Sequence, residues 1–336
     1  MFYVGIDLHK KTITVCVVNQ ERSVLKSRTL HCCAPEKIVA FFKELGTFQA
    51  VVEATASYEW LWQLLEPYAE RLVLAHPKKL RIIAESTRKN DRLDAKALAE
   101  FLALDMIPEA YRPTPRQRQH RALVRQRQFI RKRITGLKNK IRHLVSNYNG
   151  DCPDLFEAEG QEYLKKLALG PADRFVVEQL LSSWHHHEEQ LQAMDKALKT
   201  FAKKAPAKEK EARQVLQSIP GVGSVTVDVV VSELGEVRRF RSAKRVTAYA
   251  GLAPGQRESG GKRKELSISK EGSTLLRWAL VEAAWRLVRL SRYWQGNFER
   301  LRHRAGKKKA IVAIARRLLG VMVALLRTGQ CYRPVA

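Results

Sequence analysis

The chain has 336 residues, of which 61 are Lys or Arg and 34 are Asp or Glu, giving a formal net charge of +27 at pH 7. A chain of this length can form two or more domains, and so large an excess of cations predicts a polyanionic partner. Its apolar runs are too short to span a bilayer and its five cysteines form no CxxC pair, which argues against a membrane protein, a disulfide framework and a zinc knuckle. The residues after Met1 do not resemble a signal peptide, so we expect a cytoplasmic protein with no membrane partner.

Residues 1–112 alternate β-branched runs with helical patterns. Three strands joined by short polar turns are predicted at FYVGIDL, TITVCVV and VLKSRTL. Two further strands, each after a helical stretch, are predicted at AVVEAT and LVLAHP. This order of elements predicts an α/β domain in which a mixed sheet carries helices on its faces.

Residues 113–208 contain no strand pattern, and apolar residues recur there at heptad spacing. In the first half these residues are Leu123, Ile130, Ile134, Leu137, Ile141, Leu144 and Tyr148. In the second half the same spacing runs through Val177, Leu180, Trp184, His187, Leu191, Met194, Leu198 and Phe201. We expect two long helices that pair as a coiled-coil hairpin, or that pair between subunits.

The first of these helices is unusually basic. Between Arg112 and Gly150 the sequence has twelve Lys or Arg residues and no acid. A solvated helical face is one interpretation, but the lack of compensating acids favours a rod that follows nucleic-acid phosphates. The candidate phosphate-binding residues are Arg125, Arg131, Lys132 and Arg133.

Residues 209–336 read as mainly helical. Two helix-like segments flank PGVG, and Gly221 and Gly223 of this turn would let backbone amides approach a DNA phosphate, as in a helix-hairpin-helix motif. A plain turn between packed helices explains the same residues. Further along, GLAPGQRESGGKRKELSISK has the composition of an exposed functional loop, and RHRAGKKK forms a second basic cluster.

Four carboxylates of residues 1–112 stand where they could share one or two metal ions. Asp7 ends the first strand, Glu53 closes AVVEAT, and Asp91 and Asp94 lie three residues apart at the start of a helix. Such a set can hold Mg²⁺ or Mn²⁺ for phosphodiester chemistry. Separately, Asp91 could be a helix N-cap, Asp94 a first-turn acid that complements the helix dipole, and Asp7 and Glu53 strand-end surface acids. His9 follows Asp7 closely and could touch such a site, but a solvent-facing residue in a turn is the favoured interpretation.

GIDLHK, VVEATASYEW and KNDRLDAKALAEFL, in this order, resemble the RuvC-like, RNase-H-fold domain of the DEDD insertion-sequence transposases of the IS one-ten type. That family includes Piv-like DNA invertases and bridge-RNA-guided recombinases. IPGVG and FRSAKRVTAYAGLAPGQRESGGKRKELSISKEGSTLLRWAL are similar to its C-terminal transposase domain. The resemblance implies a RuvC-like catalytic domain at 1–112, a basic coiled-coil linker at 113–208 and a mainly α transposase domain at 209–336.

The resemblance also implies a mechanism. The family's acidic tetrad falls on Asp7, Glu53, Asp91 and Asp94, and its nucleophilic serine, which forms a covalent phosphoserine link, falls on Ser259. Ser267, Ser269 and Ser273 lie close enough to remain alternatives to Ser259. The cations that could steady the phosphate beside this serine are Arg257, Lys262, Arg263 and Lys264.

The implied partners are donor and target DNA, a structured guide RNA and further copies of the chain. A homodimer or homotetramer would bring the acidic domain of one subunit to the serine domain of another, in a bacterial cytoplasm and near the nucleoid. Two rival functions stay open on the residues alone. One is a metal nuclease of the Holliday-junction-resolvase kind, without a covalent intermediate, and the other is a non-catalytic nucleic-acid-binding protein.

Overall fold

The computed structural model describes the chain except for residue 56 and residues 84–89, 260–261 and 335–336. For residues 81–83, 256–259 and 262–265 it describes the backbone alone. The chain folds into two compact units, residues 1–112 and 113–336. Each unit is built around its own apolar core.

The first unit contains a mixed five-stranded sheet, as the sequence predicts. Its strands are β1 (Phe2–Leu8), β2 (Thr12–Val18), β3 (Val24–His31), β4 (Phe48–Glu53) and β5 (Arg71–Ala75). The spatial order is β3-β2-β1-β4-β5. The first three strands pair antiparallel, whereas β4 is parallel to both β1 and β5. The carboxyl ends of β1, β4 and β5 therefore meet at one edge of the sheet.

Helices cover the two faces of this sheet. They are α1 (Pro35–Lys43), α2 (Tyr58–Leu65), α3 (Pro77–Ile83) and α4 (Asp91–Ala103). Because strand side chains alternate, Val4, Ile6 and Leu8 enter the core that α1 and α2 also fill. Tyr3 points to the opposite face and packs with apolar residues of α4. Gly5 and Asp7 share the α4 face with Tyr3.

Gly5 allows α4 to lie directly on the backbone of β1. A Cβ atom at this position would lie 1.9 Å from the carbonyl oxygen of Ala95 and 2.5 Å from the amide nitrogen of Ala99. Both of these atoms belong to the α4 backbone, so a side chain could be accommodated only if the whole helix moved. The glycine is thus required by close packing between a helix and a strand.

The second unit begins with two long helices, α5 (Pro115–Ser146) and α7 (Pro171–Lys203), separated by the short α6 (Ala158–Lys166). The start of α5 lies beside the end of α7, since the Arg116 guanidinium lies over the Phe201 ring. The end of α5 packs beside the start of α7 through Ile141 and Val177. The two helices are therefore antiparallel neighbours, while a coiled-coil supercoil stays a prediction.

The described part of this unit is completed by six further α-helices, a short 3-10 helix (Val237–Arg239) and a hairpin. The helices are α8 (Ala207–Gln217), α9 (Ser224–Leu234), α10 (Ala243–Tyr249), α11 (Thr274–Leu290), α12 (Arg292–Ala305) and α13 (Lys307–Thr328). The hairpin pairs β6 (Pro254–Ser259) with β7 (Lys262–Ile268). Residues of α9, α11 and α13 dominate the core. None of the helices in the described ranges is both long and apolar enough to cross a bilayer.

We expect Gly5→Ala to lower the free energy of unfolding by about 1–3 kcal/mol, because the added methyl overpacks the contact between β1 and α4. Gly136→Ala in α5 is the matched control, since a Cβ there has no neighbouring atom within 4 Å. That variant should be neutral or more stable by roughly 0.5–1 kcal/mol. Urea denaturation followed by circular dichroism measures both, and equal stability of Gly5→Ala and wild type would contradict the packing argument.

Candidate active site and nucleic-acid interfaces

Asp7 lies at the carboxyl end of β1, on the face of the sheet that α4 covers. Its side chain is only 16% exposed. Its cross-strand neighbour on β2 is the buried Thr14. An acid in such a place needs a cation or donor nearby, and His9 supplies one, with Nε2 3.0 Å from Asp7 Oδ2.

Asp91 and Asp94 occupy the first turn of α4. The N-cap is Asn90, whose side chain accepts a hydrogen bond from the Arg92 amide, so Asp91 is not the cap that one interpretation made it. Asp91 Oδ1 lies 3.4 Å from His9 Nε2. His9 therefore lies between the carboxylates of Asp7 and Asp91 while half of its side chain stays exposed to solvent, so it both faces solvent and contacts the site.

The pKa shifts reflect this cluster of charge. Burial raises the pKa of Asp7 above its ordinary value, and the negative charges of Asp91 and Asp94 raise it further, while His9 opposes the rise. The pKa of His9 is also raised, chiefly by the charge of Asp7. Asp94 is thus within electrostatic range of Asp7, and the raised pKa of His9 favours its protonated form, whose charge would partly offset the acids.

Glu53 ends β4, which is the parallel neighbour of β1. Ile6 pairs with Val52 in the register, so Asp7 and Glu53 are the next residues on two adjacent strands. Glu53 is half-buried and has a partner of its own. Its backbone position places it at the same edge of the sheet as Asp7.

A metal ion is a chemically reasonable occupant of this site. Side-chain ligand atoms of Asp7, His9 and Asp91 all lie within 4.8 Å of one another. Carboxylate oxygens are the ligands that Mg²⁺ and Mn²⁺ prefer, and an imidazole nitrogen is compatible with Mn²⁺. The donor set therefore fits a hard divalent cation.

Two polar residues at this edge of the sheet were missed by the sequence reasoning. Thr55 and His76 follow the ends of β4 and β5, and their Oγ1 and Nδ1 atoms are buried without a hydrogen-bond partner among the described residues. Such atoms are uncommon in folded proteins and call for a ligand or a solvent molecule. The available signal was a polar residue within two positions of the end of each buried parallel strand.

The candidate nucleophile lies in the second unit. Ser259 ends β6 and pairs with Lys262 across the hairpin, but its side chain falls outside the described part of the chain. The same holds for the side chains of Arg257, Lys262, Arg263 and Lys264.

The alternative serines are described more fully. Ser273 is the N-cap of α11 and accepts a hydrogen bond from the Leu276 amide. Ser269 Oγ accepts one from the Glu271 amide at 3.5 Å, and Ser267 is exposed on β7. Ser273 thus has a structural role that explains its presence.

The PGVG turn joins α8 to α9 and packs against α11. Gly221 has a φ of 79°, and a Cβ there would lie 2.8 Å from the Cβ of Arg286 and 3.1 Å from the amide nitrogen of Leu287. Both the backbone conformation and the contact with α11 require glycine at this position. Gly223 is the N-cap of α9 and has more open surroundings.

The cations of α5 fall into a paired and an unpaired group. Acids from outside the acid-free stretch pair with at least five arginines and one lysine of α5. The pairs are Arg116–Glu209 at 2.5 Å, Arg121–Glu233 at 3.9 Å, Arg125–Glu233 at 3.0 Å, Arg127–Asp195 at 2.6 Å, Lys138–Glu188 at 3.8 Å and Arg142–Asp151 at 2.6 Å. The local sequence therefore contains no acids, but the fold brings acids from other segments next to these cations. Arg131, Lys132 and Arg133 are exposed and form no ion pair within the described ranges.

Known proteins resemble both units. A DEDD transposase family model of the IS110 type matches residues 4–149, and a model described as the transposase IS116/IS110/IS902 family matches residues 213–299. The transposase for insertion sequence element IS1111A of Coxiella burnetii is 28% identical over 98% of this chain and 90% of its own length. The pilin gene-inverting protein of Moraxella lacunata is 25% identical over 98% of this chain and 96% of its own.

The two matched ranges contain the acids of the first unit and the PGVG turn and β6–β7 hairpin of the second. A DEDD domain implies a RuvC-like fold and points to dependence on a divalent metal, in keeping with the cluster of Asp7, His9 and Asp91. The chain belongs to the IS110 family of DEDD transposases.

Proposed function

We propose that this transposase cuts and rejoins DNA strands to move an insertion sequence, with Asp7, Glu53, Asp91 and Asp94 as its metal-binding acids. The observation that carries the proposal is the meeting of Asp7 and Asp91 at His9, where the end of β1 faces the start of α4. A metal bound there would supply Lewis-acid stabilisation of charge on the scissile phosphate. Asp94 and Glu53 lie in sequence and register where they can complete the set.

Ser259 is the proposed nucleophile. Its Oγ attacks the phosphorus, the P–O bond to one deoxyribose breaks, and the departing sugar oxygen takes up a proton as a free hydroxyl. The serine proton passes to a base or to solvent, and the phosphate remains a diester, now joined to Ser259. Attack by a second DNA hydroxyl on this phosphoserine reverses the exchange, so strands rejoin without an external energy source.

The remaining parts of the proposal concern binding. Arg257, Lys262, Arg263 and Lys264 flank the hairpin turn in sequence and are proposed to steady the phosphate beside Ser259. Gly223, at the N-terminus of α9, is proposed to approach a DNA phosphate. Gly221 belongs to the same turn. The protein is further proposed to act with a structured guide RNA and to assemble into a dimer or tetramer. It would do so in the cytoplasm, near the nucleoid.

The first experiment tests the acids. Asp7→Asn and Asp94→Asn should each lower strand exchange by at least about a hundredfold, because each removes charge from the metal site. DNA binding and the fold should persist. Asp105→Asn is the matched control, since this exposed acid lies just beyond the other end of α4 and pairs with Arg71. Full activity of either site variant, or full activity in EDTA, would contradict the metal site.

The second experiment tests the exposed cations of α5. Neutralising Arg131, Lys132 and Arg133 to Gln should reduce the slope of log binding constant against log salt by about 0.9 for each cation that contacts a duplex phosphate. Arg125→Gln should leave the slope nearly unchanged, because its charge is matched by Glu233. Salt titrations with a labelled duplex measure this, and an unaltered slope in the triple variant would make α5 a solvated spacer.

The third experiment tests the nucleophile. A labelled DNA substrate nicked near the crossover should yield label that migrates with the denatured protein, and both Ser259→Ala and Asp91→Asn should lose that adduct while retaining binding. The Ser267→Ala, Ser269→Ala and Ser273→Ala variants serve as controls. An adduct that survives Ser259→Ala but vanishes in one of the three control variants would assign the nucleophile to that serine instead. Cleavage without any adduct in the wild type would favour the metal-nuclease alternative.

A further inference from the structure

Six Lys or Arg side chains crowd the junction between α12 and α13, which meet at Gly306. They are Arg300, Arg302, Arg304, Lys307, Lys308 and Lys309, and all six are exposed. Glu299 is the last acid of the whole sequence. This junction, residues 300–309, is here named the α12–α13 corner.

Little of this charge is compensated within the fold. Arg302 pairs with Glu299 at 2.8 Å, and the Lys307 ammonium lies 5.5 Å from the centre of the Trp285 ring. Arg300, Arg304, Lys308 and Lys309 have no ion pair, side-chain hydrogen bond or ring contact with any described residue. The corner therefore differs from α5, where acids of other segments pair with at least five arginines and one lysine.

The start of α13 adds to the positive potential. Its N-cap is Gly306, which offers no side chain to the first amides, and its first turn contains no acid. The N-terminus of a helix carries a partial positive charge, so three lysines in the first turn oppose the helix dipole. Buried Ala310, Ile311 and Ile314 hold the helix start in place through packing instead. An anion brought to this corner would relieve the repulsion.

We propose that the α12–α13 corner binds the phosphate backbone of duplex DNA. This inference rests on the proposed function, because it takes DNA as the molecule on which the chain acts. Residues 300–309 contain no Phe, Tyr or Trp, so they offer no platform for stacking single-stranded bases. Leu301, the one bulky apolar residue of the corner, packs against the core, which leaves no anchor for a membrane surface. Lys and Arg side chains that contact phosphates fix a duplex without reading its sequence.

The test compares salt titrations of the full chain on a labelled DNA duplex between 50 and 200 mM salt. The variant replaces Arg304, Lys308 and Lys309 with Gln. Over this fourfold range, each cation that contacts a phosphate contributes about a 3.5-fold loss of affinity. The triple variant should therefore lose about 40-fold less affinity than the wild type over the same range if all three cations make contact.

Two further variants serve as controls. Lys196→Gln, Lys199→Gln and Lys203→Gln together remove the same charge from exposed positions of α7 and should leave the slope close to that of the wild type. Arg304→Lys, Lys308→Arg and Lys309→Arg together keep the charge at the corner and should keep the slope. Because the Gln variant removes charge that opposes the helix dipole, its thermal unfolding midpoint should equal or exceed that of the wild type.

The outcomes separate this inference from the proposed function. A wild-type chain that does not bind DNA would overturn both. A wild-type chain that binds with a steep slope, which the corner variant leaves unchanged, would overturn the inference alone. Equal losses of slope in the corner and α7 variants would show only a general effect of net charge, and would also overturn the inference. A slope that falls on an RNA duplex but not on DNA would also overturn it.

Discussion

The contact between Gly5 and the backbone of α4 is the constraint on which the acidic site depends. From Gly5 the chain advances two residues, about 7 Å, along β1 to Asp7. From Ala95 it goes back four residues, about 6 Å, along α4 to Asp91. The two paths run in the same direction from one point of contact, so the two carboxylates end side by side, with His9 between them. A bulkier residue at position 5 would separate them.

The sheet register extends the same argument to Glu53. Parallel pairing of β1 with β4 places Ile6 opposite Val52, and the next residue of each strand is an acid. The edge where parallel strands end is a common location for ligand sites, because backbone pairing stops there and side chains become accessible. The buried atoms of Thr55 and His76 that lack a partner in the described part of the chain lie at this edge as well. The acids therefore lie at the same edge as buried polar atoms whose hydrogen-bonding capacity is not met by the described residues.

Regular sequence patterns made much of the sheet and of the acidic site predictable. β-branched runs and polar turns located all five strands of the sheet, and the strand ends located Asp7 and Glu53. The contact of His9 with Asp91 was harder to foresee, because this acid belongs to α4 and lies 82 residues away along the chain. The cap of α4 was also uncertain, since Asn90 and Asp91 are both good capping residues and only the backbone geometry distinguishes them.

The pairing of charges was the property least predictable from the sequence, and the reason applies to the whole chain as well as to α5. A local count shows how many cations a helix carries, but not which acids the fold brings to them. Glu209 and Glu233, from α8 and α9, neutralise arginines of α5 that lie about a hundred residues earlier. Binding to a polyanion depends on the cations that remain after such pairing. Two groups of cations that keep such unpaired charge among the described residues are Arg131, Lys132 and Arg133 in α5 and the α12–α13 corner. At the corner the helix dipole adds to the side-chain charge instead of offsetting it.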